Sequence, residues 1–215
     1  MIEAVGNNTK LVIVLTPNNP TGMMLSKDEI YKICEQTPEN VLLFIDEAYH
    51  EFAIHAGGAD ALKILKNRVG PWVLTRTFSK AYALAGLRLG YAVCSSEEIA
   101  NAIRLTTSTF NVSGIAEAAV IAALDDTEYT KFILEENERE MNLIKAKCQE
   151  IGLTYMDSVT NFLSIDVGIP NGEVVKSMRE RGIRISTPGY ESNGTFIRVS
   201  TGRSEDTVVF LTTLQ

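Results

Sequence analysis

Lys80 stands just past the apolar run Trp72–Thr77, in the string Thr77-Phe78-Ser79-Lys80, and Arg88 follows eight residues on. A lysine at the carboxyl end of a buried strand faces the crevice in which α/β sheets bind ligands. There an amine can serve as a nucleophile, whereas the plainer reading is a solvated loop lysine. Asp46-Glu47-Ala48-Tyr49 closes a second apolar run. Asp is a common helix cap, and a Walker-B reading would require GxxxxGK[ST], a string this chain lacks. Asn18-Asn19-Pro20-Thr21-Gly22 follows a third run. Alone it is a turn, although two X-Pro bonds in five residues suit a rigid one that holds an Asn side chain still. His50 and His55 are five apart and not four, so there is no HExxH helix, and no metal site is read. GxGxxG is absent too. Ser79 and Lys80 are neighbours on a turn and do not read as a facing Ser–Lys dyad.

These candidates depend on the elements that carry them. Four short apolar runs, Leu11–Thr16, Val41–Asp46, Trp72–Thr77 and Leu89–Cys94, predict strands buried on both faces, because their hydrophobicity is continuous and not alternating. Between the first two, Ser26 and Glu29 have capping-box spacing, and Ile30, Ile33 and Cys34 fall on one face of the helix they open. Strand, helix, strand is the pattern of a parallel crossover. From Ser113 the chain turns helical, with an Ala-rich stretch over 116–124. A second helix spans 127–151, with the stripe Ile133, Asn137, Met141, Ile144, Cys148 and Ile151, and Gly152 ends it. Beyond it the pattern predicts strands at 162–167, 183–185 and 196–200, a helix over 173–181 and a last helix from Ser204. The expected organisation is α/β: a large mostly parallel portion over 1–125, a connecting helix over 126–151 and a smaller α+β portion over 152–215.

The 215 residues carry 20 Lys+Arg against 27 Asp+Glu, a net charge of −7. That balance argues against a nucleic-acid binder, which needs a basic face. Three cysteines, Cys34, Cys94 and Cys148, lie far apart and form neither a disulfide framework nor a CxxC pair. No secretory leader and no apolar run near the roughly 18 residues of a membrane span is visible, so a soluble, cytoplasmic protein is expected.

Taken together, the strand-end residues fit one ligand class. Parallel strands place their carboxyl ends along one edge of a sheet. An aldehyde cofactor with a phosphate tail and a ring nitrogen would use all of them: Lys80 as imine partner, Asp46 to keep the ring nitrogen protonated, Tyr49 and Asn19 for a phenolic oxygen, and Thr77, Ser79 and Arg88 for phosphate. That cofactor is pyridoxal 5′-phosphate.

The same motifs, Asn19-Pro20-Thr21-Gly22, Asp46-x-Ala48-Tyr49 and Ser79-Lys80 with Arg88, resemble the class I/II, fold-type I aminotransferases. DEAYHEF (46–52), TRTFSKAYALAGLRLGY (75–91), Asn161-Phe162 and Phe196-Ile197-Arg198-Val199 are similar to the histidinol-phosphate branch. The resemblance implies the aspartate aminotransferase-like fold and a homodimer. It also implies amino transfer between an amino acid or amino-alcohol phosphate and 2-oxoglutarate through Lys80, which would also shuttle the proton. By the same resemblance Arg198 would bind the substrate carboxylate, with Asn161 beside it. A decarboxylase or lyase of the same fold and a truncated non-catalytic remnant are the alternatives. Ser186 stands where that branch usually has an arginine for substrate phosphate. Only 17 residues precede Asn18, whereas family members carry a substantial stretch there. That stretch would hold a phosphate-cradling helix start and a ring-stacking aromatic, so weak cofactor binding is expected of the 215 residues alone.

Overall fold

The structure, a computed structural model, describes residues 2–189 and 194–214. The chain divides into two compact units, one comprising Met1–Pro17 and Met24–Thr130, the other Asn18–Met23 and Lys131–Gln215.

The first unit is built on a four-stranded sheet, in the order β1 (Leu11–Leu15), β2 (Leu42–Asp46), β3 (Trp72–Thr77) and β4 (Gly90–Cys94). β1–β2 and β2–β3 are parallel, and β3–β4 is antiparallel. The crossover from β1 to β2 is α1 (Lys27–Gln36), which starts where the sequence predicts. The Ser26 hydroxyl accepts from the Glu29 amide, and the Glu29 carboxylate accepts from the Ser26 amide at 2.8 Å. The far end of α1 is closed by Arg68, whose guanidinium donates to the carbonyls of Cys34, Thr37, Pro38 and Val41 at 2.6–3.1 Å. Those bonds satisfy carbonyls that a helix end or turn would otherwise leave to water.

Between β2 and β3 lie two short helices that the sequence reading lacked, α2 (His50–His55) and α3 (Ala61–Leu65), and α4 (Glu97–Thr106) and α5 (Gly114–Asp125) follow β4. Val12 and Val14 of β1, Leu43 and Ile45 of β2 and Leu74 of β3 pack with Ile30 and Ile33 of α1 and Ile64 and Leu65 of α3. Leu43, Leu65 and Leu74 are fully buried, and truncating any of them to Ala should cost about 2–5 kcal/mol.

One expectation fails here. Neither β1 nor β4 runs buried on both faces: β1 alternates, with Leu11, Ile13 and Leu15 40–53% exposed and Val12 and Val14 buried, and β4 has no buried residue, Tyr91 being 43% exposed. An all-apolar five-residue strand reads alike whether one face or both are covered, so the sequence pattern cannot separate the cases.

The second unit pairs β5 (Thr154–Tyr155), β6 (Phe162–Asp166) and β7 (Phe196–Ser200) in an antiparallel sheet. α6 (Thr127–Glu150, most of it in this unit), α7 (Asn171–Glu180) and α8 (Ser204–Thr213) bury Met141, Ile144, Cys148, Met178 and Phe210 against Leu163, Ile165, Ile197 and Val199. Gly152 follows α6 with φ +75°, a left-handed value that favours glycine. Asn137, read as a neutral member of the α6 stripe, is a polar tie: it donates to the Thr160 carbonyl at 3.2 Å and accepts from Thr201 at 2.7 Å. The expected strand at 183–185 does not form. Only an isolated bridge joins Ser186 to Arg198 on the far side of β7. No helix among the described residues is long and apolar enough to cross a membrane.

Candidate active site

Strand geometry sorts the ends of β2 and β3 by face. Asp46 pairs in register with Thr75, so the two share one face of the sheet, and the next residues, Glu47 and Arg76, turn to the other. On the first face Thr75 Oγ1 donates to Asp46 Oδ1 at 3.2 Å, and the Ala48 amide donates to the same oxygen at 3.1 Å. Two donors on one oxygen aim the carboxylate. Tyr49, which precedes α2, is buried, and Lys80 Nζ lies 5.3 Å from the centroid of its ring. Thr77 Oγ1 donates to Ser79 Oγ at 2.9 Å and accepts from the Ser79 amide at 3.1 Å, which fixes the turn that delivers the half-buried Lys80. Arg88 is exposed, adopts φ +56°, and donates to the Ala85 carbonyl at 2.8 Å. Among the predicted residues of this unit, then, Lys80 meets Tyr49 and Thr77 meets Ser79, while Arg88 bonds within its own loop.

On the opposite face is a cluster that the sequence reading missed. Glu47 is 3% exposed; its Oε2 accepts from Arg76 Nε at 2.8 Å, and its Oε1 accepts from the Ala61 amide at 3.2 Å. Arg76 Nη2 reaches Asp60 Oδ1 at 2.7 Å, and His50 Nδ1 lies 3.3 Å from Glu47 Oε2. Burial works against the Arg76 charge, but the Glu47 carboxylate, with Tyr91, outweighs it and raises the guanidinium pKa above its usual value. Glu47, His50 and Asp60 have metal-ligand types within 4.8 Å of one another. Arg76 already supplies a cation to two of these carboxylates, which ties the cluster into an ion network. Nearby, burial foremost raises the Glu51 carboxyl above its ordinary range, with Glu47 adding to the shift and His50 and Arg76 opposing it.

The second unit carries the remaining predicted residues. In the Asn18–Met23 segment both Thr16-Pro17 ahead of it and Asn19-Pro20 within it are cis. Asn18 Nδ2 donates to Thr21 Oγ1 at 2.9 Å, Ser164 Oγ donates to the Pro20 carbonyl at 2.6 Å, and the Val159 amide donates to the Gly22 carbonyl at 3.0 Å. Gly22 has φ +76°, and a Cβ there would collide with Ser158. Arg198 donates from Nη1 to Asn19 Oδ1 at 2.7 Å and lies 4.7 Å from the Phe162 ring centroid. Asn19 and Arg198, separated by 179 positions in sequence, are thus direct partners. The Asn161 carbonyl accepts from Thr201 at 3.0 and 3.2 Å.

A family model of aminotransferase class I and II matches residues 1–212. The chain belongs to the class I and II aminotransferases. It is 37% identical over 214 residues to histidinol-phosphate aminotransferase 2 of Methylococcus capsulatus, covering all of this chain and 57% of that protein. The crystal structure of the histidinol-phosphate aminotransferase of Sinorhizobium meliloti, solved in complex with pyridoxal 5′-phosphate, superposes with a TM-score of 0.86 at 32% identity. That match covers 96% of this chain and 56% of the other. An aspartate aminotransferase of Thermus thermophilus shares the fold, with a TM-score of 0.83 at 21% identity over 99% of this chain and 61% of its own. The chain is therefore α/β with the aspartate aminotransferase fold, its larger sheet mixed and mostly parallel, and it spans a little over half the length of the relatives it matches.

Proposed function

We propose that this chain carries the lysine-bearing part of a pyridoxal 5′-phosphate-dependent aminotransferase of histidinol-phosphate type. The observation that carries the reading is the Lys80 amine above the Tyr49 ring, on a turn fixed by Thr77 and Ser79 and beside the strand end that aims Asp46. The donor set fits the cofactor: one amine for an aldehyde, one oriented carboxylate for a ring nitrogen, and two hydroxyls and a guanidinium for phosphate. When bound, pyridoxal phosphate supplies an electron sink that acidifies the bond to the substrate's α-carbon.

The chain's own residues then have defined tasks. Asp46 holds a proton on the ring nitrogen, and Thr75 and the Ala48 amide keep its carboxylate from swinging away. Lys80 would hold the cofactor's aldehyde through its amine and would move a proton as a base. Tyr49 and Asn19 donate to the phenolic oxygen, and Thr77, Ser79 and Arg88 hold the phosphate. Arg198 pairs with the substrate carboxylate, a charge-assisted contact, and Asn19 Oδ1 holds its guanidinium in place; Asn161 completes the substrate side. Residues 1–125 serve as the cofactor-binding domain, 126–151 as a connecting helix and 152–215 as the small domain. Homodimer assembly and a cytoplasmic location belong to the same reading.

The test is amino transfer from histidinol phosphate to 2-oxoglutarate with added pyridoxal phosphate, by the full-length protein that carries these residues. Asp46→Asn keeps the shape and removes the charge, and should lower turnover at least about 100-fold, near 2.7 kcal/mol of barrier. No transfer by the parent, or a variant rate within about three-fold of it, would overturn the reading.

A further inference from the structure

We infer that Phe162 is a positioning residue for carboxylate recognition, its ring being the floor on which the Arg198 guanidinium is held. The inference rests on the reading of Arg198 as the partner of the substrate carboxylate. β6 and β7 pair with Ser164 opposite Arg198 and Phe162 opposite Ser200. Alternate residues of a strand share a face, so Phe162, Ser164 and Arg198 lie together on one side of the sheet. Leu163, Ile165, Ile197 and Val199 turn to the helices on the other side. Phe162 is therefore no part of that helix-covered core, yet it is 1% exposed. On its own face its diagonal neighbour across the ladder is Arg198, a spacing that aromatic and long side chains bridge. The guanidinium carbon stands 4.7 Å from the ring centroid, inside the roughly 6 Å reach of a cation over an aromatic face.

The other contacts of Arg198 leave that task to the ring. Its backbone is fixed from both sides, by Ser164 of β6 and by Ser186, whose carbonyl accepts from the Arg198 amide at 2.6 Å and whose amide donates to the Arg198 carbonyl at 3.1 Å. The long side chain needs its own restraints. Nη1 donates to Asn19 Oδ1 at 2.7 Å, which holds one end of the guanidinium. Nε is buried and has no hydrogen-bond acceptor among the described residues, which leaves the ring face to hold that side of the group. Ring and amide oxygen are both uncharged, so these two contacts orient the positive charge without neutralising it. A carboxylate in place of either would hold the arginine as firmly but would compete with the substrate. A guanidinium already fixed in place also loses less rotamer freedom when a substrate carboxylate arrives.

The experiment takes the full-length protein that carries these residues, loaded with pyridoxal phosphate, and titrates it with glutarate, a dicarboxylate that has no keto group to accept an amine. Phe162→Leu removes the ring, whereas trifluorophenylalanine in place of Phe162 keeps its shape and withdraws electron density from its face. A desolvated cation–π contact corresponds to roughly ten-fold in an equilibrium constant, so Phe162→Leu should weaken glutarate binding by about that factor and the fluorinated ring by several-fold. KM for 2-oxoglutarate should rise in parallel while kcat stays within about two-fold of the parent, and the melt of the fluorinated protein should match the parent's. Should Phe162→Leu fail to fold, the fluorinated ring decides alone. Arg198→Gln tests the underlying reading and should weaken glutarate at least as much as Phe162→Leu does. Glutarate binding untouched by Arg198→Gln would overturn both that reading and this inference. If Arg198→Gln is defective, two results overturn the inference alone. One is parent-like affinity in Phe162→Leu; the other is unchanged affinity with the fluorinated ring, since packing and not the charge distribution of the ring face would then be at work.

Discussion

Arg76→Leu is the substitution whose cost follows most directly from the geometry. The side chains of Arg76 and Glu47 are 11% and 3% exposed, and their closest approach is 2.7 Å. Leucine keeps most of the apolar stem but leaves the Glu47 carboxylate buried beside the Ala61 amide and His50 without its guanidinium. Removing one partner of a buried pair costs about 3–5 kcal/mol, because the remaining charge has lost its water and gained nothing. Urea unfolding of proteins this small has a slope of about 1–3 kcal/mol per M, so the midpoint should fall by roughly 2 M. The readout is built in. Trp72 is the single tryptophan and is buried in the same unit, so its fluorescence reports this transition and not that of the other unit. Arg76→Leu combined with Glu47→Leu should recover much of the loss, since no orphaned charge remains. A single-variant loss below about 1 kcal/mol, or a double variant worse than the sum of the singles, would refute the network's role.

Glu51 gives a pH signature: its folded carboxyl is raised mainly by burial, so its contribution to stability is full below the unfolded value near 4.3 and is lost as pH rises through the raised one. Glu51→Gln should therefore gain on the parent between pH 4 and 8 in the Trp72 unfolding assay; a gain confined to pH 4 would contradict the assignment. Cys148 is fully buried, and burial pushes its thiol up to about 11, so a disulfide reagent at pH 8 should modify it only as fast as the second unit unfolds, and rapid labelling of Cys148 itself, mapped apart from the half-buried Cys94, would show that α6 is not packed as described.

How far the sequence could be read depended on the range of each signal. The Ser26–Glu29 box is complete within four residues, and the helix start was legible from it. The strand runs were legible as strands, yet which faces of β1 were covered was not, because covering depends on chain outside the strand. The α2 and α3 helices are too short, at six and five residues, to show a period. The Glu47–Arg76 pair spans 29 positions and follows no periodicity, so nothing local announces it; the hint was a charged Glu-Arg pairing of residue types at the ends of two adjacent buried strands. Ser186 was read as a residue type at a family position, and its backbone pairing with Arg198 needed the fold. Asp46, Tyr49, Thr77, Ser79 and Lys80 could be singled out as candidates because two apolar runs each end in polar or charged residues, and a parallel sheet brings such ends to one edge.

The most direct test of the account is where the cofactor attaches. The chain is incubated with pyridoxal phosphate, reduced with borohydride, digested and mapped by mass spectrometry. The account predicts a pyridoxyl label concentrated on the peptide that contains Lys80, and its loss in Lys80→Ala while the Trp72 unfolding transition stays within about 1 kcal/mol of the parent, as expected for a side chain outside the core. A label spread over Lys10, Lys27 and other surface lysines, or one undiminished in Lys80→Ala, would contradict it.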